Sequence, residues 1–441
     1  METPSSSQNN SLVDELRAWL DSNWNPDLEV GEWWEKLGTS GWAAPGLPEN
    51  AFGRGLSRGD AVVVQKTISN YGALSAPGGL GLLLAAPTIA SHGTQEQINT
   101  LIYEIVTGKK AWCQLFSEPG AGSDLAGLQT KADRDGDEWV INGQKVWTSS
   151  GHWADIGMLL ARTDPGVPKH KGISYFALDM HQPGVEVRPL KEMTGRSMFN
   201  EVFMTDARTT NDLLIGGLNN GWAVANTTLA NERAGLGAGG GDAAASVAMP
   251  GTVANQLHLR AGDFVGPGRK DRKASEEETG GLFGMSATML IKIASKNGAI
   301  SDPTVRQGLA SLYTLGEVGR FNNLRQKAMR QAGLDIPGLP NIAKLSMSQM
   351  VRLSRDLGLR ILGPYGMLHG YTSKDRKYLA EITGAPENAS ITEVALFAQA
   401  PSIYGGTDQI QRNIIGERVL GLPREPSQDK DVAFQDLPKN R

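Results

Sequence analysis

Cysteine is almost missing from this chain of 441 residues, in which Cys113 is the only one. A single cysteine excludes an intramolecular disulfide and any cysteine-rich metal site. The 6 histidines are scattered without the spacing of metal ligands, so we predict no metal. Cys113 itself is expected to pack as a small hydrophobic side chain in a strand.

Long apolar runs and a strong excess of one charge are missing as well. No run reaches the roughly 20 apolar residues that a membrane-spanning helix needs, and the first residues carry neither the basic nor the apolar part of a secretory signal. The net charge of −4 speaks against nucleic-acid binding, which favours a basic surface. With 40% hydrophobic and 20% charged residues, the chain is expected to be globular, with two or three domains or one large multi-layer fold. Without a signal or a membrane span, a cytoplasmic location is the expectation.

Apolar residues follow helical spacing at both ends of the chain and strand spacing in the middle. We predict an all-α domain over 1–110, a β domain over 111–218 and a helical domain over 219–441. Residues 1–10 are predicted to be disordered, with Ser11 as the N-cap of the first helix. Further helices are predicted over Gly53–Ala76, Gly78–His92 and Gln95–Thr107, and strands over Ile156–Arg162, Ile173–Asp179, Val185–Pro189 and Phe199–Thr205. The charged stretch 268–281 is expected to be an exposed loop.

The densest information lies between Ala111 and Asp155. The loop Ser117–Asp124, with the sequence SEPGAGSD, follows a predicted strand over Trp112–Phe116. Strands over Trp139–Ile141 and Lys145–Ser149 come next, and the dipeptide Asn-Gly at 142–143 between them predicts a hairpin turn. Glycine amides, serine hydroxyls and the flat ring of a tryptophan suit a large planar cofactor with a polar edge. The alternative is a β domain with an ordinary polar turn.

This stretch resembles the middle-domain signature of the acyl-CoA dehydrogenase family, T/S-E-P-x-A-G-S-D followed by N-G-x-K-x-W-x-S/T. The resemblance implies an α+β fold with an N-terminal helical domain, a middle β-barrel domain and a C-terminal helical bundle. It also implies FAD as the cofactor. By this resemblance Phe116 and Ser117 contact the ring edge, Trp147 lies against the flavin, and Ser149 bonds near its N5 atom. Ser123 is placed where the flavin and the acyl-CoA meet.

A catalytic carboxylate is the next requirement, because this family removes the α-proton of an acyl-CoA while the flavin accepts a hydride from the β-carbon. Much of the family carries the glutamate in Y-E-G-T-x-Q-I-Q-R, but here Gly405 stands at that position. Isovaleryl-CoA and long-chain acyl-CoA dehydrogenases carry it instead on the first long helix of the C-terminal domain, before an arginine. The sequence LANERAG matches that pattern, so we predict Glu232 as the base and Arg233 as its neighbour at the substrate. The alternative is an ordinary helix glutamate, which the small apolar surroundings disfavour.

Other positions match the family or depart from it. Gly406, Thr407 and Gln409 match residues near the flavin phosphates, and Thr407 is also a candidate helix cap. Gly405 leaves room for a larger or branched acyl group. The family's R-x-x-F-G motif is not intact, and three arginines are candidates to replace it: Arg260, Arg306 and Arg360. The G-x-G-x-x-G match at 235–240 lies in a helical pattern, so we interpret it as close helix packing rather than dinucleotide binding.

The resemblance implies a reaction and its partners. The reaction is α,β-desaturation of an acyl-CoA to the trans-2-enoyl-CoA, as in fatty acid β-oxidation, with electrons passing to an electron-transfer flavoprotein. The protein is expected to form a homodimer, a homotetramer or a heterotetramer with a related subunit. Two alternatives are a flavin oxidase or monooxygenase on the same fold, and a non-catalytic subunit that completes the site of a partner.

Overall fold

The computed structural model describes residues 4–237, 248–266, 285–332, 334, 336–426 and 429–438. The chain divides into two compact units. The first contains Met1–Leu190, Ser197–Lys270 and Ser427–Arg441. The second contains Lys191–Arg196 and Asp271–Pro426. Within the described ranges, no helix combines the length and the apolar character needed to cross a membrane.

The first unit begins with helices packed around buried tryptophans. Their bounds are α1 Pro4–Asn23, α2 Val30–Thr39, α3 Arg58–Tyr71, α4 Ala86–His92, α5 Gln95–Gln97 and α6 Tyr103–Val106, with π-helical turns at Gly81–Ala85 and Ile98–Ile102. Trp33 and Trp34 are fully buried, and their indole N–H groups donate to the carbonyl oxygens of Leu74 at 2.7 Å and Ser75 at 2.9 Å. This packing confirms an all-α start of the chain, and the tryptophans form part of its core.

Some helix boundaries differ from the prediction. Helix α1 begins at Pro4, so Ser11 lies inside the helix, and the predicted disorder is wrong for residues 4–10. Helix α3 is shorter than predicted, because Ser57 caps its start by accepting a hydrogen bond from the Asp60 amide and Gly72 ends it with φ of +86°. The apolar segment that follows is not buried all round, since Leu83 is 46% exposed.

The middle of the first unit is one sheet of eight strands. Their bounds are β1 Trp112–Leu115, β2 Lys131–Asp135, β3 Glu138–Ser149, β4 Ile156–Arg162, β5 Ile173–Asp179, β6 Val185–Leu190, β7 Phe199–Thr210 and β8 Leu214–Ile215. The order is β6-β7-β3-β2-β4-β5-β8, and β1 pairs in parallel with β4. Val185 and Val187 on β6 and Leu214 on β8 pack against one buried cluster. Met158, Leu160 and Tyr175 lie on the opposite face and join the buried cluster of the N-terminal helices. The strands predicted at 156–162 and 173–179 are confirmed.

The predicted hairpin turn at Asn142-Gly143 is wrong. Strand β3 continues through it, with a register shift against β7 between Ile141 and Gly143. The turn lies earlier, at Gly136, whose φ of +64° joins β2 to β3. Gly143 has a different reason to be glycine, because a Cβ atom there would lie 2.3 Å from the Thr130 Oγ1 atom.

Helix α7, Gly221–Gly237, belongs to the first unit and follows the sheet. The second unit is helical. Its helices are α8 Ala287–Asn297, α9 Pro303–Gln331, α10 Leu339–Leu362, α11 Ser373–Thr383, α12 Asn388–Phe397 and α13 Asp408–Ile414. The predicted exposed loop at 268–281 and the second half of the glycine run at 235–240 lie outside the described residues.

Candidate active site

The loop Ser117–Asp124 is held at its first residues by backbone bonds. The Val146 amide on β3 donates to the Ser117 carbonyl at 2.9 Å, and Glu118 and Ala121 exchange amide–carbonyl bonds of 3.0 and 3.1 Å. Neither Gly120 nor Gly122 adopts a positive φ, and a Cβ atom at either would meet nothing within 4 Å. These glycines therefore leave the backbone open to close approach from outside, and the turn itself does not require them.

A buried ion pair lies beneath this loop. The Lys145 Nζ atom is 2.8 Å from Glu118 Oε1 and 3.1 Å from the Phe116 carbonyl, and the Lys145 side chain is fully buried. The Glu118 carboxylate also accepts from the backbone amides of Gln129 at 2.6 Å and Thr130 at 2.9 Å. Burial acts to raise the pKa of Glu118, but Lys145 and the amide donors outweigh it and hold that pKa below its usual value. The carboxylate is thus ionised and ties β3 to the loop.

Arg162 supports the far end of the same loop. Its guanidinium donates to the carbonyl oxygens of Ala126 at 2.6 Å, Leu128 at 3.2 Å and Lys169 at 2.8 Å. Burial lowers the pKa of Arg162 to about 10, which leaves it charged at neutral pH. Arg162 and Glu118 together fix the backbone that follows the loop, and Lys145 holds the Phe116 carbonyl before it.

Strand β3 presents Trp147 and Ser149 beside this loop. A second register shift against β7 lies between Lys145 and Thr148, and Trp147 takes a φ of +60° there. The indole ring is 60% exposed and lies edge-on to the Phe199 ring, with centroids 5.8 Å apart. Thr148 points to the buried side, where the Asn200 amide donates to its carbonyl at 2.9 Å. The bulge therefore places a large ring outside the core, next to a half-buried serine hydroxyl.

The predicted base lies on α7, close to β1. The Gln114 Nε2 atom is 3.4 Å from Glu232 Oε2. Burial raises the pKa of Glu232, while the Gln114 amide and the charge of Arg233 act to lower it. The net direction is upward, so this carboxylate is more easily protonated than an ordinary glutamate, as a general base working near neutral pH requires.

Helix α7 is anchored one turn before Glu232. The Thr228 hydroxyl lies 2.9 Å from the Thr88 hydroxyl and 3.5 Å from the Tyr175 hydroxyl, all of them buried. The Tyr175 ring meets Phe116 edge-on, with centroids 5.9 Å apart. Tyr175 thus contacts both the helix that carries Glu232 and the residue that precedes Ser117.

The second unit contains a tight turn before α13. Gly405 and Gly406 have φ values of +62° and +80°, a backbone region that favours glycine. The Gln411 amide donates to the Gly405 carbonyl at 2.9 Å, and a Cβ atom at Gly406 would lie 2.8 Å from that amide nitrogen. Thr407 caps α13, as predicted, by accepting from the Ile410 amide at 3.1 Å, and Gln409 is exposed.

The predicted site residues therefore fall into two groups. The residues predicted to contact the flavin ring or the substrate, and the predicted base, belong to the first unit: Phe116, Ser117, Ser123, Trp147, Ser149, Glu232 and Arg233. Those of the Gly-Gly-Thr turn belong to the second: Gly405, Gly406, Thr407 and Gln409. Within the first group, Ser117 is half-buried and Ser123 is exposed.

The candidate arginines differ in what they contact. Arg260 is exposed and lies 2.8 Å from Asp27 and 3.0 Å from Asp263. Arg306 and Arg360 are exposed on helices of the second unit. Among the described contacts, Asp356, one turn before Arg360, pairs with Arg355 at 2.8 Å.

Sequence reasoning missed the residues that support the site. Gln114, Arg162 and Tyr175 carry no motif of their own, and each acts on residues distant in the chain. Lys145 did carry a signal, because it is the lysine of the N-G-x-K-x-W pattern. Among the residues that the structure describes, no group of three metal-ligating side chains is present.

Comparison with known families gives three matches along the chain. The acyl-CoA dehydrogenase N-terminal domain matches residues 8–109, the middle domain 113–207 and the C-terminal domain 289–420. The arrangement of helices, sheet and helices agrees with these matches.

Individual proteins show the same likeness over most of the chain. "Acyl-CoA dehydrogenase IpdE1" of Mycobacterium tuberculosis is 34% identical over 393 residues, which cover 89% of this chain and 88% of that protein. The solved "Tcur3481-Tcur3483 steroid ACAD" aligns with a TM-score of 0.65 at 26% identity, over 96% of this chain and 99% of that one. The "ChsE4-ChsE5 complex from Mycobacterium tuberculosis" aligns with a TM-score of 0.61 at 27% identity, over 96% and 99%.

Proposed function

Because the chain belongs to the acyl-CoA dehydrogenase family, we propose that it oxidises an acyl-CoA thioester to the trans-2-enoyl-CoA with FAD as the cofactor and Glu232 as the base. The observation that carries this proposal is the setting of Glu232. It is a carboxylate with a raised pKa, held by the Gln114 amide on the strand that leads into the Ser117–Asp124 loop.

The residues beside that loop fit a flavin. A planar ring system with polar edges needs an exposed flat surface and donors at its rim. Trp147 offers the first, and the hydroxyls of Ser117 and Ser149 with the open backbone at Gly120 and Gly122 offer the second. When bound, FAD supplies the acceptor for the hydride of the substrate β-carbon. We assign Phe116, whose ring is fixed by Tyr175, to the ring edge.

We propose Gly406, Thr407 and Gln409 as contacts of the cofactor phosphates. Gly406, Thr407 and Gln409 match family residues near the flavin phosphates. The exposed backbone at Gly406 and the exposed Gln409 side chain are compatible with that assignment. Thr407 has a structural role as a helix cap in addition.

Glu232 removes the substrate α-proton in this proposal. A carboxylate that is partly withdrawn from water binds a proton more tightly, which brings its basicity closer to that of the substrate carbon acid. The Gln114 amide orients the carboxylate and stabilises its ionised form, and Arg233 adds a favourable charge. Both effects keep a fraction of Glu232 ionised before the proton is transferred.

We propose a bulky acyl group as the substrate class. Gly405 replaces the glutamate that many family members carry, so no side chain occupies that position. One structural relative is a "steroid ACAD", which is consistent with a wide acyl pocket. Ser123 and Arg233 are the proposed contacts on the substrate side.

We propose an electron-transfer flavoprotein as the electron acceptor and an oligomer as the active form. Exposed apolar side chains on α9 support an interface, since Tyr313, Phe321 and Leu324 are 52%, 58% and 53% exposed. The "ChsE4-ChsE5 complex" makes a related second subunit the partner to test first, with a homodimer or homotetramer as the other forms.

The first experiment is the visible spectrum of the purified protein, followed by anaerobic titration with isovaleryl-CoA, octanoyl-CoA, palmitoyl-CoA and cholyl-CoA. Bleaching of a flavin band by one of them is the expected result. Glu232→Gln is expected to slow the bleaching by about 10²–10⁴-fold while the flavin remains bound. Glu381→Gln, which changes an exposed helix glutamate, should leave the rate unchanged.

Other outcomes would replace this proposal. Undiminished bleaching in Glu232→Gln would remove Glu232 as the base. Rapid reoxidation of the reduced flavin by oxygen would indicate an oxidase or monooxygenase. A protein that binds flavin only after a related subunit is added would be a component that completes a shared site.

A further inference from the structure

The segment 429–438, here called the C-terminal strap, lies on the sheet of the first unit. Ala433 forms an isolated antiparallel bridge with Pro168. The Phe434 amide donates to the Val167 carbonyl at 2.9 Å, and the Gln435 amide donates to the Pro165 carbonyl at 3.0 Å. The strap therefore pairs with the connection between β4 and β5, residues 163–172, and it lies beyond the family match that ends at residue 420.

One lysine links the strap to the Ser117–Asp124 loop. The Lys169 Nζ atom lies 2.9 Å from Asp124 Oδ2 and 2.6 Å from Asp429 Oδ2. The lysine side chain is only 13% exposed. Burial acts to lower the pKa of Lys169, but the bonds to Asp429 and Asp124 outweigh it and raise that pKa. The cation between the two carboxylates is thus charged at neutral pH, and it joins residue 124 to residue 429.

One aromatic ring links the strap to the backbone that follows the loop. The Phe434 ring lies with its centroid 3.6 Å from the guanidinium carbon of Arg162, which is within cation–π range. The N–H groups at the edge of that guanidinium donate to the Ala126 and Leu128 carbonyls. Phe434 therefore covers the group that holds residues 126–128 in place, and it shields those hydrogen bonds from water.

We propose that the C-terminal strap positions the Ser123–Asp124 end of the loop for acyl-CoA binding, with Asp429 and Phe434 as the positioning residues. The proposal rests on the proposed function, because that function places acyl-CoA at Ser123. The Ser117 end of the loop is held by Lys145 and Glu118, and Glu232 lies on α7 with its carboxylate bonded to Gln114. Loosening the strap should therefore weaken substrate binding and leave the chemical step unchanged.

Point variants in the full chain test this proposal. Phe434→Leu removes the ring but keeps an apolar side chain, Phe434→Tyr retains the ring, and Asp429→Asn removes one carboxylate charge. Asp431→Asn is the matched control, because Asp431 is exposed and its charge lies outside the Lys169 pair. Steady-state kinetics would use whichever of the four acyl-CoA probes bleaches the flavin, with ferrocenium as the electron acceptor.

The expected result is a change in KM at constant kcat. Phe434→Leu should raise KM by about 3–10-fold and Asp429→Asn by about 2–5-fold, in line with the strength of a partly buried cation–π contact and of a partly exposed ion pair. Phe434→Tyr and Asp431→Asn should stay within about twofold of the wild type, because the first retains the aromatic ring and the second changes an exposed side chain. Faster amide hydrogen exchange in residues 117–128 of Phe434→Leu should accompany the rise in KM.

Two results would overturn the proposal, and both are independent of which residue is the base. Unchanged hydrogen exchange in residues 117–128 of both Phe434→Leu and Asp429→Asn would show that the strap does not hold the loop. Faster exchange with an unchanged KM would show that the loop is held for another purpose. If Glu232→Gln proves fully active while Phe434→Leu raises KM, the assigned base is wrong and the role of the strap stands.

Discussion

Glu118 and Glu232 both lie near the candidate flavin site, yet their surroundings drive their pKa values in opposite directions. Glu118 has a lysine at 2.8 Å and two backbone amides at 2.6 and 2.9 Å, and its pKa is lowered. Glu232 has one side-chain amide at 3.4 Å and the charge of a neighbouring arginine, and its pKa is raised. Burial alone raises both pKa values, so the number and strength of the donors decide the outcome.

This difference separates a structural carboxylate from a reactive one. A fully bonded carboxylate is locked in the ionised form and holds two parts of the chain together. A carboxylate with few donors keeps its affinity for a proton, which makes it available for proton transfer. The predictions below alter one side of the comparison at a time.

The largest effect is expected when Glu118 loses its cation. Lys145→Met leaves a buried charge without its partner, which should lower the free energy of unfolding by about 3–5 kcal/mol. Urea unfolding at pH 7.5 measures it. The control is Lys131→Met, which breaks an exposed pair with Asp133 and should leave the free energy of unfolding nearly unchanged.

The sign of the pH dependence follows from the lowered pKa of Glu118. Its ionised form stabilises the protein above the ordinary glutamate pKa, and that stability is lost as the pH falls through the lowered pKa of the folded state. Lys145→Met should flatten this acid-side loss. If the variant loses stability towards acidic pH as steeply as the wild type, other carboxylates cause the pH dependence.

A smaller effect is expected when Glu232 loses its amide donor. Gln114→Leu should raise the pKa of Glu232 further, because the hydrogen bond favours the ionised form. The kcat/KM value should then fall about fivefold at acidic pH, as the loss of about 1 kcal/mol of hydrogen bonding implies, and recover at high pH. A uniform loss at every pH would instead indicate that Gln114 contacts the substrate.

A gain in stability is expected when Glu232 loses its charge. Since its pKa is raised, ionisation above that pKa costs the folded state free energy, and this cost disappears at low pH. Glu232→Gln removes the cost, so the variant should be more stable than the wild type at pH 8, by less than about 1 kcal/mol, and equal to it at low pH. A variant less stable at pH 8 would mean that the carboxylate is bonded more like Glu118.

The smallest effect on stability is expected at Trp147. Its ring is 60% exposed, so Trp147→Leu should change the free energy of unfolding of the flavin-free protein by less than about 0.5 kcal/mol. Flavin release should nevertheless become faster, because the flat surface is lost. Urea unfolding and the flavin dissociation rate measure the two effects separately, and unchanged flavin release would remove Trp147 from the site.

The sequence predicted the ends of strands most accurately where both faces of the strand are buried. Strands β4 and β5 are almost wholly buried, and their uninterrupted apolar runs predicted both ends correctly. Strand β2 was missed, because Ala132 is its only buried residue and its backbone pairing with β3 and β4 leaves no apolar pattern.

The hairpin was misplaced because Asp135-Gly136 and Asn142-Gly143 are equally good local signals. In the folded sheet Lys131 pairs with Asn142 and Thr130 lies against Gly143, so β3 continues through that dipeptide.

The candidate site shows the same limit. Motif spacing predicted Glu232 and the serine-rich loop, since both lie in continuous stretches of sequence. Gln114 lies 118 residues from Glu232, and Arg162 is 36 residues from the Ala126 carbonyl that it holds. Such partners are set by the folded sheet and α7, and neither apolar periodicity nor a local motif records them.

The bond between Lys169 and Asp429 spans 260 residues, and this separation sets an order of events during synthesis. At about 5–20 residues per second, Asp429 leaves the ribosome roughly 13–50 s after Lys169. The helices and the sheet of the first unit are complete in the nascent chain before then, while Lys169 and Arg162 still lack their partners on the strap. The loop beside Ser123 therefore reaches its final form only after the intervening second unit has emerged.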